Sequence, residues 1–131
     1  MRLSGSTAVH DAVTAARSFA KCANVDEASA SRLAIIVEEL VANLYDHGGL
    51  QDSEGFEIKL STAAGEFKLS LTAPGPNFDP TRAIDGASGV GAGAGLKLVR
   101  AWGRNIEHAY AKGQNCLTLM LPIDREERKQ T

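Results

Sequence analysis

The chain has 131 residues, 44% of them apolar and 23% charged, which suits one domain with a real core and excludes a fibre or a long disordered segment. Its 16 acidic and 14 basic residues leave a net charge of −2, which gives no electrostatic footprint for direct nucleic-acid binding. No run approaches the ~20 apolar residues of a membrane span, Met1 to Lys21 holds no signal-peptide pattern, and Cys22 and Cys116 lack the companions of a zinc site or disulfide framework, so they read as buried, reduced thiols of a cytoplasmic protein.

A first helix is expected from about Ser6 to Ala23, because Ala8, Val9, Ala12, Val13, Ala16, Phe19 and Ala20 recur at helical spacing. Ser6 or Thr7 would cap it. Asp26 would cap a second, longer helix whose apolar stripe runs through Ala30, Leu33, Ile36, Val37, Leu40, Val41 and Leu44. Gly48–Gly49 ends that helix, where a left-handed residue is favoured. Phe56, Ile58 and Leu60, then Phe67, Leu69 and Leu71, alternate with polar residues on either side of Ala64–Gly65, the pattern of a half-buried hairpin.

Ala73 to Pro80 is turn chemistry, since its prolines and glycine do not fit inside a sheet. Asp85 to Gly95 is rich in Gly, Ala and Ser and reads as a loop with little to bury. A third helix follows from Leu96 to Trp102, with Trp102 expected in the core. A second hairpin spans Ile106 to Tyr110, a Lys112–Gly113 turn, and Leu117, Leu119 and Leu121. Arg100 and Arg104 read as solvated cations, and His10 and His108 have no companions at ligand spacing. The order predicts an α+β two-layer sandwich, a mainly antiparallel mixed sheet covered on one face by three helices, in a single domain over residues 1–131. Open antiparallel edges would suit a homodimer.

Glu39, Asn43 and His47 stand four apart on the second helix. Each step of four advances about 40°, so they form one line along the rim of the apolar stripe, with Glu38 on the solvated side. A carboxylate takes a proton, and an amide oxygen one turn away is a hard neutral ligand for Mg²⁺ beside phosphate oxygens. A surface Glu, a locally bonded Asn and a His favouring the helix C-terminus would show the same spacing.

Gly89, Gly91, Gly93 and Gly95 alternate immediately before a helix, where backbone N–H groups approach anions closely. The segment Gly89 to Ala94 matches a dinucleotide fingerprint but lacks the buried strand before it. Lys97 is not followed by the Ser or Thr of a Walker loop. A plain flexible loop has the same composition.

Taken together and in order, Glu39-Leu-Val-Ala-Asn43 with His47, Gly75-Pro-Asn-Phe-Asp-Pro80, and Gly91-Ala-Gly-Ala-Gly-Leu96 resemble the N, G1 and G2 boxes of the GHKL ATP-binding superfamily. The likeness is greatest to its small stand-alone members, the anti-sigma factor serine/threonine kinases, and runs from the first helix to Pro122. With no upstream phosphoacceptor helix in the sequence, the histidine-kinase type is disfavoured. The resemblance implies a GHKL (Bergerat) fold with ATP and Mg²⁺ as cofactors. Glu39 would be the general base and Asn43 the Mg²⁺ ligand. His47 would support the nucleotide end of the helix. Gly75 would let the backbone approach adenine, with Asp79 in the same box. Gly91, Gly93 and Gly95 would bind phosphates above Leu96.

One departure from the family matters, and it lies in the G1 box. The acid that meets the adenine amino group two residues before the first G1 glycine is here Ala73, and the next glycine of the box is Asn77. An unpaired donor of that kind costs about 1–3 kcal/mol. Asp79 or a water would have to replace the acid. Two readings therefore stand. One is a kinase that phosphorylates a serine of an anti-anti-sigma (STAS-type) partner and sequesters a sigma factor. The other is a non-catalytic partner-binding module with a degraded nucleotide site. An unrelated structural α+β domain would account for each local signal singly.

Overall fold

The computed structural model describes residues 1–82 and 94–123. The elements in order are β1 (Arg2–Ser4), α1 (Ala8–Cys22), α2 (Glu27–Asp46), β2 (Gly55–Ala63), β3 (Glu66–Pro74), α3 (Ala94–Trp102), β4 (Arg104–Ala111) and β5 (Gln114–Pro122). The strands form one sheet in the order β1-β2-β3-β5-β4, and every pairing is antiparallel. Three helices and this sheet make the expected two-layer α+β sandwich.

The core lies between the layers. On the helix side of the sheet stand Phe56 and Ile58, then Phe67, Leu69 and Leu71, then Leu117, Leu119 and Leu121, all buried. The period-two alternation of each strand produces this one apolar face. α2 answers with Leu33, Ile36, Val37, Leu40, Val41 and Leu44. Burying a side chain of this size stabilises the fold by about 1.5–3 kcal/mol, so these rows carry most of the driving force. α1 buries only Ala8, Ala12, Ala16 and Ala20, a stripe of small side chains that permits close approach to α2. Val9, Phe19 and Trp102 are only partly buried at the edge of the core, so Trp102 is a rim residue rather than the core anchor the sequence suggested.

Both hairpins turn where expected. Ala64 and Gly65 have φ of 54° and 81°, and Lys112 and Gly113 have φ of 55° and 74°, the positive pair that matches the twist of two antiparallel strands. The Asp26 carboxylate accepts from the Ser29 N–H at 3.1 Å and caps α2. At α1 the expected cap differs: Thr7 precedes the helix, but its hydroxyl donates to Asp11 at 2.9 Å. Sequence periodicity missed β1, whose three residues are too few to show a period. The N-terminal amine donates to the Ile58 carbonyl and the Ile58 N–H to the Met1 carbonyl, so β1 is held by backbone alone at its start.

Cys22 is exposed, and Cys116 is half-buried on the face of the sheet away from the helices; both are free thiols. The expectation that they are buried is thus corrected: Cys22 ends α1 on its outer side, and Cys116 alternates out of phase with Leu117. Among the described residues, no helix is long and apolar enough to cross a membrane.

Candidate nucleotide site

α2 carries the polar line to the end of the sheet where β3 runs into the 75–82 segment. Glu39 and Asn43 are half-buried at the rim, His47 and Glu38 exposed. The Asn43 Nδ2 donates to the Pro80 carbonyl at 3.0 Å. A carbonyl only accepts, so this contact fixes which end of the amide faces the loop. Asn43 Oδ1 then points elsewhere and has no hydrogen-bond partner among the described residues. Burial raises the Glu39 pKa from its ordinary 4.5, and the neighbouring Glu38 charge raises it further. A carboxylate shifted upward is a better proton acceptor at neutral pH. His47 closes the helix through its backbone N–H to the Asn43 carbonyl, and its side chain has no hydrogen-bond partner among the described residues.

The 75–82 segment is bolted on both sides. Gly75 has φ +128°, a conformation that side chains rarely adopt, and its N–H donates to the Gly113 carbonyl at 3.1 Å. Asp79 turns inward: its Oδ1 accepts from the Thr81 N–H at 2.9 Å and from the Thr81 hydroxyl at 2.7 Å, and Oδ2 lies 3.5 Å from Arg82 Nε. That carboxylate is thus engaged by Thr81 and Arg82 of its own loop. Arg100, expected to be merely solvated, donates from Nε to the Thr81 carbonyl at 2.9 Å and ties α3 to the segment. The exposed Arg104 lies 3.9 Å from the half-buried Glu66, a long surface ion pair that contributes little.

Ala73 is 1% exposed and pairs with Asn115 of β5. Asn115 is a site residue that the sequence reading passed over. It is 4% exposed, and its amide accepts from Phe78 N–H and donates to the Pro76 carbonyl, each at 2.8 Å. His108 Nε2 stands 2.9 Å from the same Oδ1. The available signal was period two: Asn115 extends the inward series Leu117, Leu119, Leu121 by one more step. Of the glycine loop, Gly91 and Gly93 lie outside the described residues, Gly95 falls in the first turn of α3, and Leu96 is buried below it. A cavity of about 320 Å³ lined by Met1, Phe19, Ile58 and Leu60 includes none of the candidate residues.

Gly48 and Gly49 do different work at the end of α2. Gly49 takes the left-handed φ of +79°, as expected of that position. Gly48 is there for space: a Cβ on it would stand 2.7 Å from Phe78 Cδ2 and 2.9 Å from the Leu44 carbonyl oxygen. Gly48→Ala is expected to lift Phe78 or open the last helical turn, at about 1–3 kcal/mol, the usual cost of overpacking. Chemical denaturation measures it; a variant as stable as the parent would show that the ring moves aside freely.

The model of the histidine kinase-like ATPase domain family matches residues 4–121. The chain belongs to this family. Two nucleotide-free structures of the catalytic domain of histidine kinase ThkA share the fold of this histidine kinase-like ATPase domain. The first is 12% identical with a TM-score of 0.54, covering 93% of this chain and 94% of the other. The second is 10% identical with a TM-score of 0.53, covering 96% and 98%. No curated sequence is significantly similar.

Domains of this GHKL type bind ATP, usually with Mg²⁺. The chain's own groups fit that cargo unequally. Among the described residues no cluster of three His, Cys, Asp or Glu is placed to hold a metal. A single neutral oxygen on Asn43 instead suits a cation whose remaining ligands are phosphate oxygens and water. The buried Ala73 side chain offers no acceptor of its own.

Proposed function

We propose that this GHKL domain is an ATP-dependent, anti-sigma-type serine/threonine kinase. It would transfer the γ-phosphate to a serine of a STAS-type anti-anti-sigma partner and sequester a sigma factor in the alternative complex. The observation that carries the reading is the Asn43 contact with Pro80, one helical turn from Glu39. It ties the helix that carries Glu39 to the segment that leads toward the glycine loop and leaves the amide oxygen without a protein partner among the described residues.

Asn43 Oδ1 would hold Mg²⁺, with Pro80 preventing the amide from rotating its nitrogen into that place. The bound cation supplies charge neutralisation on the phosphates. Glu39, with its proton affinity raised by burial, takes the hydroxyl proton of the incoming serine. The first turn of α3, which includes Gly95, would offer N–H groups to the phosphates. The added phosphate charge on the serine would weaken the partner complex and release the kinase for sigma factor.

A second reading is favoured by Ala73 alone: a partner-binding GHKL module with a weakened purine site. The two separate on binding and transfer. Mg·ATP at millimolar concentration is expected to raise Tm, as a ligand of the native state must. Phosphoserine on a STAS-type partner after incubation with Mg·ATP supports the kinase. A thermal shift without transfer supports the module, and no shift removes the nucleotide reading altogether. Ala73→Asp should lower the Tm of the free protein, since it places a carboxylate in a position only 1% exposed, and should enlarge the shift with ATP. An unchanged ATP affinity in that variant would mean that Ala73 does not face the purine.

A further inference from the structure

We infer that Asn115 and His108 are positioning residues for the nucleotide, acting by clamping the 75–78 loop from the neighbouring strands. The inference rests on the reading of that loop as the wall that approaches the base.

Three residues stand in one row across three strands on the helix side of the sheet. Ala73 of β3 pairs with Asn115 of β5, and Asn115 pairs with Tyr110 of β4. The row lies at the end of the sheet where the 75–78 loop leaves β3. Each polar member of the row reaches into that loop. Tyr110 donates its hydroxyl to the Gly75 carbonyl at 2.9 Å. Asn115 donates to the Pro76 carbonyl and accepts from the Phe78 N–H, so its one amide spans both ends of a three-residue stretch. Phe78 in turn covers Gly48 at the end of α2. The loop is therefore held between the sheet and the helix that carries Glu39 and Asn43.

Hydrogen-bond chemistry settles the protons. The Phe78 N–H only donates and the Pro76 carbonyl only accepts, so the Asn115 oxygen must face Phe78 and its nitrogen Pro76. His108 Nε2, 2.9 Å from that same oxygen, must then carry a hydrogen. His108 is thus a donor that completes the oxygen's second lone pair and fixes the amide's rotation. Asn115 is saturated on its acceptor side by the protein itself, and a buried polar side chain so matched is a rigid anchor. Where Ala73 leaves the sheet end without a polar group of its own, Asn115 takes that position from the next strand and directs it to the loop.

Amide hydrogen exchange and nucleotide binding test this separately. In Asn115→Ala, exchange at Phe78 N–H should quicken by about tenfold or more, and Mg·ATP affinity should fall by about tenfold, the range for one lost buried hydrogen bond. His108→Ala should show a smaller loss that His108→Gln restores, because the Gln amide keeps a donor near the Nε2 position. Adding His108→Ala to Asn115→Ala should cost nothing more, since both act through one amide. Tyr110→Phe, at an exposed residue, loosens the Gly75 end without endangering the fold and serves where Asn115→Ala does not fold. Unchanged Phe78 exchange in Asn115→Ala, or in both His108→Ala and Tyr110→Phe if that variant is unfolded, overturns the clamp. Faster exchange with unchanged ATP affinity overturns its link to the nucleotide. A parent protein that binds no nucleotide sinks the proposed function instead, while the exchange result still decides whether the clamp exists.

Discussion

Glu39→Gln is expected to keep Mg·ATP affinity and to slow serine phosphorylation by about 10²–10⁴-fold, the usual contribution of a positioned base. The amide keeps the size and polarity of the carboxyl but has no basic oxygen to take the proton. A second, independent effect follows from the raised pKa. The folded chain binds this proton more tightly than the unfolded one, so the carboxyl's stabilising share is full below the ordinary value of 4.5 and is lost as pH rises through the folded value. At neutral pH the ionised side chain is therefore a small liability. Glu39→Gln should melt slightly higher than the parent at pH 7, and the gap should close in acid below 4.5. Retained transfer would remove Glu39 as the base. A lower melting temperature at pH 7 would show that the carboxylate has a favourable partner.

In the proposed site Asn43 would carry two duties on one amide, and two substitutions separate them. Asn43→Ala removes both the donor to Pro80 and the free oxygen. Mg·ATP affinity should fall by about 10–100-fold, the range for losing a charge-assisted contact, and the dependence on Mg²⁺ should flatten. Asn43→Asp keeps oxygens for the cation but, ionised, donates nothing to Pro80. It also places a second negative charge one turn from Glu39, which raises the Glu39 pKa further. Its affinity should fall less, its Mg²⁺ dependence should remain, and its transfer rate should peak at higher pH. Calorimetric titration with and without Mg²⁺ distinguishes these patterns. Parental affinity in Asn43→Ala would take the amide out of the site.

Much of the site was legible because α2 is long and strongly periodic. Once its apolar stripe is assigned, the placement of Glu39 and Asn43 on the rim follows from 100° per residue with no further assumption. The hairpins were legible for the same reason, with Ala64–Gly65 and Lys112–Gly113 marking the turns. Asp79 and Arg100 were not. A loop carboxylate reads equally well as a ligand or as a cap for its own backbone, and only the fold shows that this one accepts from the Thr81 N–H and hydroxyl. The two cysteines misled because residue type predicts burial only on average, while the face of the helix decides Cys22 and the phase of the strand Cys116.

By itself the sequence determined the layers, the order of helices and strands, and the family boxes, because local periodicity and turn chemistry act over a few residues. Tertiary structure alone decided that Asn115, more than 30 residues beyond Gly75 in the chain, closes onto Pro76 and Phe78, that Gly48 makes room for Phe78, and that the Pro80 carbonyl holds the Asn43 nitrogen. These contacts join segments distant in sequence through strand register and helix packing. No local pattern encodes a register, which is set only when the whole apolar face of the sheet is buried at once.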